Sequence, residues 1–303
     1  MPEYGRYVKF RYGPGISFGV KDVSGLFRSS LRPFSPGAYV GSRRAAVHPK
    51  LCRKGWRLRG NSAGIAHAPL LLEDAMTDRL VNSLRTDPTR RTLQRLHAAA
   101  KQDRFKFLTL APRFLAGKLQ GKSFSQIITP EAMKNFFIPI NPEQGNFAYL
   151  VARTLGARNI VEFGTSLGIS TIYLACAVKD NGGGCVIGTE IEHSKHVRAL
   201  EHIAEAGLAE FVDVRLGDAL ETLEKVDTPI DMVLIDGWKD LYLPVLKLIE
   251  PSLRSGAVVL ADNIFTFKRD LKPYVDYVQS GENRFESTTL HISDGFEYSV
   301  YTG

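Results

Sequence analysis

Residues 230–263 read IDMVLIDGWKDLYLPVLKLIEPSLRSGAVVLADN, and the reading of this stretch decides the fold. Met232 to Ile235 and Ala257 to Leu260 are short, unbroken apolar runs, the pattern of strands covered on both faces. Between them Tyr242, Val245, Leu246 and Ile249 recur at helical spacing, so the unit is strand–helix–strand. A right-handed crossover lays two such strands side by side, roughly 5 Å apart when they are direct neighbours. Asp236, Asp262 and Asn263 then converge at the carboxyl ends of adjacent strands, where open α/β sheets bind ligands. Three oxygen ligands and Lys239 at one edge point to a hard divalent cation and chemistry on a hydroxyl.

The same alternation extends in both directions. Upstream, Asn159 to Phe163, Cys185 to Glu190 and Phe211 to Leu216 read as strands. Helices over Ile169 to Val178 and Ser194 to Ala206 separate them, the second with Val197, Leu200, Ile203 and Ala204 inward. A helix stripe of Phe147, Leu150, Val151 and Leu155 precedes the first strand. Downstream, a helix near Lys268 to Val278 leads to Phe285 to Ile292 and Phe296 to Tyr301, with the hairpin signal Asp294-Gly295 between them. Five parallel units closed by an antiparallel hairpin make an α/β, Rossmann-like sheet of seven strands. A dinucleotide dehydrogenase, whose sheet is all parallel, does not follow that plan. From about Leu80 to Phe137 the pattern is helical, with Asp87-Pro88 and Thr129-Pro130 as start signals and Leu93, Leu96 and Ala100 on one face. This is a helical layer, residues 76–137, that packs on or lids the domain over 138–303.

Composition sets the bounds. At 303 residues and 44% hydrophobic content the chain has room for a real core. Its net charge of +7 is unevenly spread. Residues 1–75 hold 13 Lys+Arg and 4 Asp+Glu, a balance of +9, which leaves 26 and 28, a balance of −2, for the remainder. The basic character belongs to the N-terminal segment, which argues against nucleic-acid binding by the folded part. That segment is rich in Gly, Ser, Pro and Arg, as in FRSSLRPFSPGAYVGSRR, and lacks periodicity. A disordered extension, or sequence ahead of a true start at Met76, is favoured over an organelle transit peptide. Cys52, Cys176 and Cys185 have no framework spacing, and Cys176 and Cys185 read as buried apolar residues, which fits a reducing, cytoplasmic setting. No apolar run approaches the roughly 18 residues needed to span a bilayer.

The remaining strand ends carry groups of their own. Val161-Glu162-Phe163-Gly164-Thr165-Ser166-Leu167-Gly168 follows a strand and opens a helix, where glycines let a ligand approach the backbone. Its spacing is G-x-x-x-G, not the G-x-G-x-x-G that fits a pyrophosphate. Glu190 ends the second strand, placed to accept both hydroxyls of a ribose, and Gly217-Asp218-Ala219 ends the third, facing an adenine edge. Each acid alone also reads as a solvated helix cap. Together they describe an adenosine site without phosphate provision. His193 and His196 have helix-face spacing, with His202 nearby, but no Cys or further His is positioned to complete a site, so zinc is disfavoured.

These motifs carry a resemblance. LIDGWKDLYLP followed by ADN is similar to the corresponding region of catechol O-methyltransferase, and PEQGNFAYLVARTLGARNIVEFGTSLGIST resembles the caffeoyl-CoA and bacterial O-methyltransferase pattern. From about Ile138 to Gly303 the chain resembles the class I S-adenosylmethionine-dependent methyltransferases of the cation-dependent O-methyltransferase type. The resemblance implies that Glu162, Gly164, Ser166 and Ser170 line the methionine portion of the cofactor and that Glu190 holds the ribose. It places Asp218 and Ala219 at the adenine with Trp238 beside it, and Ile140 in the wall before the first helix. It gives Asp236, Asp262 and Asn263 to Mg²⁺ or another divalent cation, Asp236 also facing the cofactor, with Lys239 as general base. A small hydroxylated, aromatic acceptor and a homodimer are what the family implies. Two departures stand out: Gly237 occupies the position where catechol O-methyltransferase has a cofactor-contacting histidine, and the family's distal acid for a second catechol hydroxyl is missing. Rival readings are a metal-independent methyltransferase acting on a sugar or amine, and a noncatalytic RNA-binding module using residues 1–75. A metal titration separates the first, and salt-sensitive RNA binding lost with residues 1–75 would reveal the second.

Overall fold

The computed structural model describes residues 82–103, 111–122, 127, 139–226 and 229–303. Expectations for residues 1–75 and for the start signal at Thr129-Pro130 fall outside these positions. Seven strands, β1 (Asn159–Phe163), β2 (Cys185–Glu190), β3 (Val212–Leu216), β4 (Ile230–Ile235), β5 (Leu253–Ala261), β6 (Phe285–Leu290) and β7 (Phe296–Tyr301), form one sheet. Their order is β3-β2-β1-β4-β5-β7-β6, with β1 to β5 parallel and β7 antiparallel to both neighbours. The expected α/β architecture with an antiparallel closing hairpin is thus the one observed.

Register explains how a site is assembled. Phe163 pairs with Ile235, and Ile235 with Ala261, so the three lie in one row across β1, β4 and β5. The residues that follow them, Gly164, Asp236 and Asp262, emerge together at the carboxyl edge. The strand order reverses between β1 and β4, which opens the crevice in which such sheets hold ligands.

Strand alternation divides the interior in two. Ile160, Met232, Leu234, Val258 and Leu260 face one layer; Val161, Phe163, Val233, Ile235 and Val259 face the other. The first layer contains α3 (Pro142–Thr154), α4 (Ile169–Asp180) and α5 (His193–Glu205). Every residue of α4 from Ile169 to Val178 is buried, because α1 (Asp87–Asp103) packs over its outer side through Leu93, Leu96 and Ala100. Helix α1 therefore shares the domain's core. A short α2 (Ala111–Leu119) follows α1. The second layer contains α6 (Ala219–Thr222), α7 (Tyr242–Ile249) and α8 (Lys272–Gln279), with Tyr242, Val245, Leu246 and Ile249 buried as their spacing predicts. No helix among the described residues is long and apolar enough to cross a membrane.

Two helix faces differ from expectation. On α3 the buried positions are Gln144, Gly145, Ala148, Tyr149 and Ala152, while Leu150 is 59% exposed. The small residues let α3 approach α4 closely; a Cβ on Gly145 would lie 2.4 Å from the Tyr173 ring. Phe147, Val151 and Leu155 are left half-buried at the margin. On α5, Val197 and Leu200 are 40% and 42% exposed and Ala204 faces solvent, whereas Ala199, His202 and Ile203 point inward. This helix covers the β2–β3 end of the sheet, where a narrow face suffices. Cys176 is buried and free as expected, whereas Cys185 is half-buried.

Candidate active site

Between β1 and β2 the glycine loop turns sharply. Gly164 has φ 99°, and a Cβ there would lie 2.6 Å from the Asp236 carbonyl oxygen, so only glycine lets the ends of β1 and β4 touch. Ser166 is also left-handed at φ 49°, and its N–H donates to Glu190 Oε2 at 2.8 Å. The N–H of Glu192 donates to Glu190 Oε1 at 2.8 Å. Burial raises the Glu190 pKa against these two bonds and Lys195. Ile191, the next residue along the chain, is exposed.

Glu162 lies deeper, wholly buried. Its Oε2 accepts from Thr165 Oγ1 at 3.0 Å and Thr171 Oγ1 at 2.5 Å, while Oε1 has no partner among the described residues. Burial pushes its pKa up to about 7, only partly offset by the hydroxyls of Ser170, Thr171 and Thr165. The folded protein therefore keeps this proton to higher pH than the unfolded chain. Below the ordinary value of 4.5 both states hold it and nothing changes. As pH rises from there toward about 7, unfolding releases a proton and stability falls, by on the order of 3 kcal/mol in ligand-free protein. Urea unfolding at pH 5 and pH 8 measures this slope, to which Asp262 also contributes, and Glu162→Gln is expected to reduce it. An unchanged slope would show that Glu162 is not its source.

The second cluster lies at the ends of β4 and β5. Asp262 is buried; its Oδ1 accepts from Gln144 Nε2 at 2.6 Å and the Asn263 N–H at 2.7 Å. Burial and the neighbouring Asp236 charge push its pKa up to about 8. The Asp236 pKa is raised as well, by burial above all, and Lys239 opposes the rise. Lys239 is only 8% exposed. Its Nζ donates to Asn263 Oδ1 at 2.6 Å and to Tyr242 OH at 2.8 Å, lies 3.4 Å from Asp236 Oδ1, and stands over the Tyr242 ring. It is not a surface lysine. Two crowded carboxylates with raised pKa values, a nearby Asp294 that raises both further, and one ammonium leave an excess of negative charge. That donor chemistry suits a hard divalent cation. Among the described residues no three His, Cys, Asp or Glu side chains gather as a metal cluster; the Asn263 amide oxygen lies at the same edge, 2.6 Å from Lys239 Nζ.

The expected residues fall into groups. Glu162, Gly164, Ser166, Ser170 and Glu190 follow the β1–β2 crevice, and Asp236, Lys239, Asp262 and Asn263 share the β4–β5 edge. Asp218, exposed, caps α6 by accepting the Leu220 N–H at 2.9 Å, and Ala219 is buried behind it. Trp238 is half-buried against the second core. Ile140, just before α3, is buried in the first core. The ring of Phe163 fills the space beside Gly237, 2.4 Å from where a Cβ would stand. His196 and His202 engage the Val214 and Leu167 carbonyls at 3.0 and 2.9 Å.

Sequence reasoning missed Gln144, Tyr242 and Asp294. Gln144 closes the capping box of α3, its Oε1 accepting the Asn141 N–H at 3.1 Å, so Asn141-Pro142-x-Gln144 was its visible signal. Asp294 reads only as a turn residue, yet its Oδ2 accepts from Asn263 Nδ2 at 3.3 Å.

The methyltransferase domain family matches residues 161–264, from β1 to just past Asn263. The chain is 35% identical over 131 residues to a catechol O-methyltransferase of Niastella koreensis, aligning 42% of this chain with 58% of that one. It is 30% identical over 185 residues to the catechol O-methyltransferase of Mus musculus, aligning 56% with 68%. A solved O-methyltransferase from Streptomyces achromogenes, involved in tomaymycin synthesis and in complex with SAM, superposes with a TM-score of 0.51. It shares 26% identity over 64% of this chain and 89% of its own. The chain spans less than two thirds of the length of the Niastella relative.

Proposed function

The chain belongs to the S-adenosylmethionine-dependent O-methyltransferase family that includes catechol O-methyltransferase, and from that premise we propose that it methylates a hydroxyl of a small, aromatic acceptor with the help of a divalent cation. The observation that carries this reading is the row Gly164, Asp236 and Asp262 at one sheet edge, with Lys239 buried beside it.

The residues suit both groups. The unpartnered, buried Oε1 of Glu162 is an acceptor suited to the ammonium of the cofactor's methionine portion. Each oxygen of Glu190 accepts one backbone N–H and retains a lone pair for a ribose hydroxyl. Asp218, Ala219 and Trp238 surround the adenine position, and Ile191 offers an apolar face next to Glu190. Gly164, Ser166 and Ser170 shape the floor, with Ile140 behind the wall on the α3 side. Asp236, Asp262 and Asn263 hold Mg²⁺ or a similar ion. Bound there, the cofactor supplies an already activated methyl group and the ion lowers the pKa of the acceptor hydroxyl.

What the protein adds is alignment and a proton acceptor. The two clusters share the Gly164–Asp236 contact, so cofactor and acceptor are held against each other for in-line transfer. In its neutral amine form Lys239 Nζ, between Asn263 and Tyr242, takes the acceptor proton and becomes the ammonium. Phe163 takes up the room that a side chain at position 237 would need, so the position where the catechol enzymes use histidine stays glycine here. The missing distal acid favours acceptors other than a simple catechol.

A methyl-transfer screen with labelled cofactor over catechols, flavonoids and hydroxycinnamates, run with Mg²⁺, tests the reading. An O-methylated product from at least one hydroxylated aromatic is expected. Transfer only to amines or sugars, equally fast in EDTA, would replace this reading with the metal-independent one.

A further inference from the structure

We propose that Asp294, at the turn between β6 and β7, is a positioning residue that fixes the Asn263 amide so that its oxygen, and not its nitrogen, faces the cation position. The inference rests on the cation reading above and assigns a role to the C-terminal hairpin.

Asn263 directly follows β5 and its first neighbour, and it is left-handed at φ 66°, a conformation asparagine tolerates better than most residues. No strand ladder holds its side chain. The two ends of an amide are alike in shape and opposite in hydrogen-bonding role. Here an ammonium stands on one side and a carboxylate on the other: Lys239 Nζ at 2.6 Å from Oδ1, and Asp294 Oδ2 at 3.3 Å from Nδ2. Those opposite charges permit a single orientation, independent of how the atoms are assigned. Only the oxygen end can ligate a hard cation. A flipped amide would present N–H groups and delete one of three protein ligands.

Asp294 is itself firmly held. Its Oδ1 accepts from the Thr266 N–H at 3.1 Å and Thr266 Oγ1 at 2.7 Å, and its carbonyl oxygen accepts the Phe265 N–H at 2.9 Å. The adjacent Gly295 carbonyl accepts from the Ile264 N–H at 3.3 Å. The hairpin turn thus clamps residues 263–266 by backbone and side chain together. Groups that orient metal ligands in this way contribute roughly 10- to 100-fold to metal affinity.

Titration of Mn²⁺ into the full chain, without cofactor or acceptor, with free ion followed by electron paramagnetic resonance, tests this. Asp294→Ala is expected to weaken Mn²⁺ binding about tenfold or more. Asp294→Asn keeps an oxygen for the amide to donate to and should stay within about threefold of wild type. In an Asn263→Asp background the ligand has two equivalent oxygens and needs no orienting, so Asp294→Ala should cost no affinity there. Equal losses for Asp294→Asn and Asp294→Ala would mean that charge, not orientation, is at work and would overturn the proposal. So would the same loss in both backgrounds. If Asp294→Ala does not fold, Asp294→Ser is judged by the same comparisons. Wild-type protein that binds no Mn²⁺ would overturn the cation reading along with this one; binding that every Asp294 variant leaves unchanged would overturn this one alone.

Discussion

Asp262→Asn is expected to lower methyl transfer by on the order of 10³-fold at saturating Mg²⁺ while melting no lower than wild type. The two halves of this result have separate causes. Gln144 and the Asn263 N–H both donate to Asp262 Oδ1, and an amide oxygen in the same place accepts both bonds. The charge is another matter. Burial and Asp236 push the Asp262 pKa up to about 8, so the ligand-free fold carries this carboxylate at a cost that the neutral amide avoids. Stability is therefore kept or improved, while the cation loses one of its two anionic donors. A variant within tenfold of wild-type activity would remove Asp262 from the site.

Lys239→Met should lower kcat by about 10²- to 10⁴-fold and leave cofactor affinity within about threefold. The lysine is buried, and its Nζ lies 3.4 Å from Asp236 Oδ1 and 2.6 Å from Asn263 Oδ1. Methionine keeps most of the volume along the Tyr242 ring, so packing is largely preserved. Steady-state kinetics with the acceptor found in the screen, together with calorimetric titration of the cofactor, separate the roles. Lost cofactor affinity with kcat unchanged would make Lys239 a structural residue.

Much of this was legible in the sequence because a buried parallel sheet leaves a strong local signature. The apolar runs of β1, β2 and β7 fall on the observed strands to the residue, and the stripe Tyr242, Val245, Leu246 and Ile249 is the buried face of α7. The acids at strand ends followed from topology alone, since neighbouring parallel strands must deliver Asp236 and Asp262 to one edge. Helix faces were harder. Counting apolar residues placed Val197 and Leu200 inward, but the buried turn of α5 includes His202, whose ring meets the Leu167 carbonyl and so packs inside without an unmet polar group. On α3 the bulky stripe lost to Gly145, Ala148 and Ala152, because close approach to α4 rewards small residues over large ones.

The groups that support the site were hidden for a different reason. Gln144 and Asp294 each have a sufficient local explanation, as a capping residue and as a turn residue, and local patterns say nothing about a second bond reaching across more than a hundred positions or from a neighbouring hairpin. Gly237 stands where the catechol enzymes have histidine, and the Phe163 ring of the adjacent strand occupies the space a Cβ there would need.

The most direct test compares label transfer to one acceptor in Mg²⁺ buffer and in excess EDTA, with cofactor binding measured in the same samples. Transfer should vanish in EDTA and return on adding Mg²⁺, while the cofactor stays bound throughout. Undiminished transfer in excess EDTA would contradict the account.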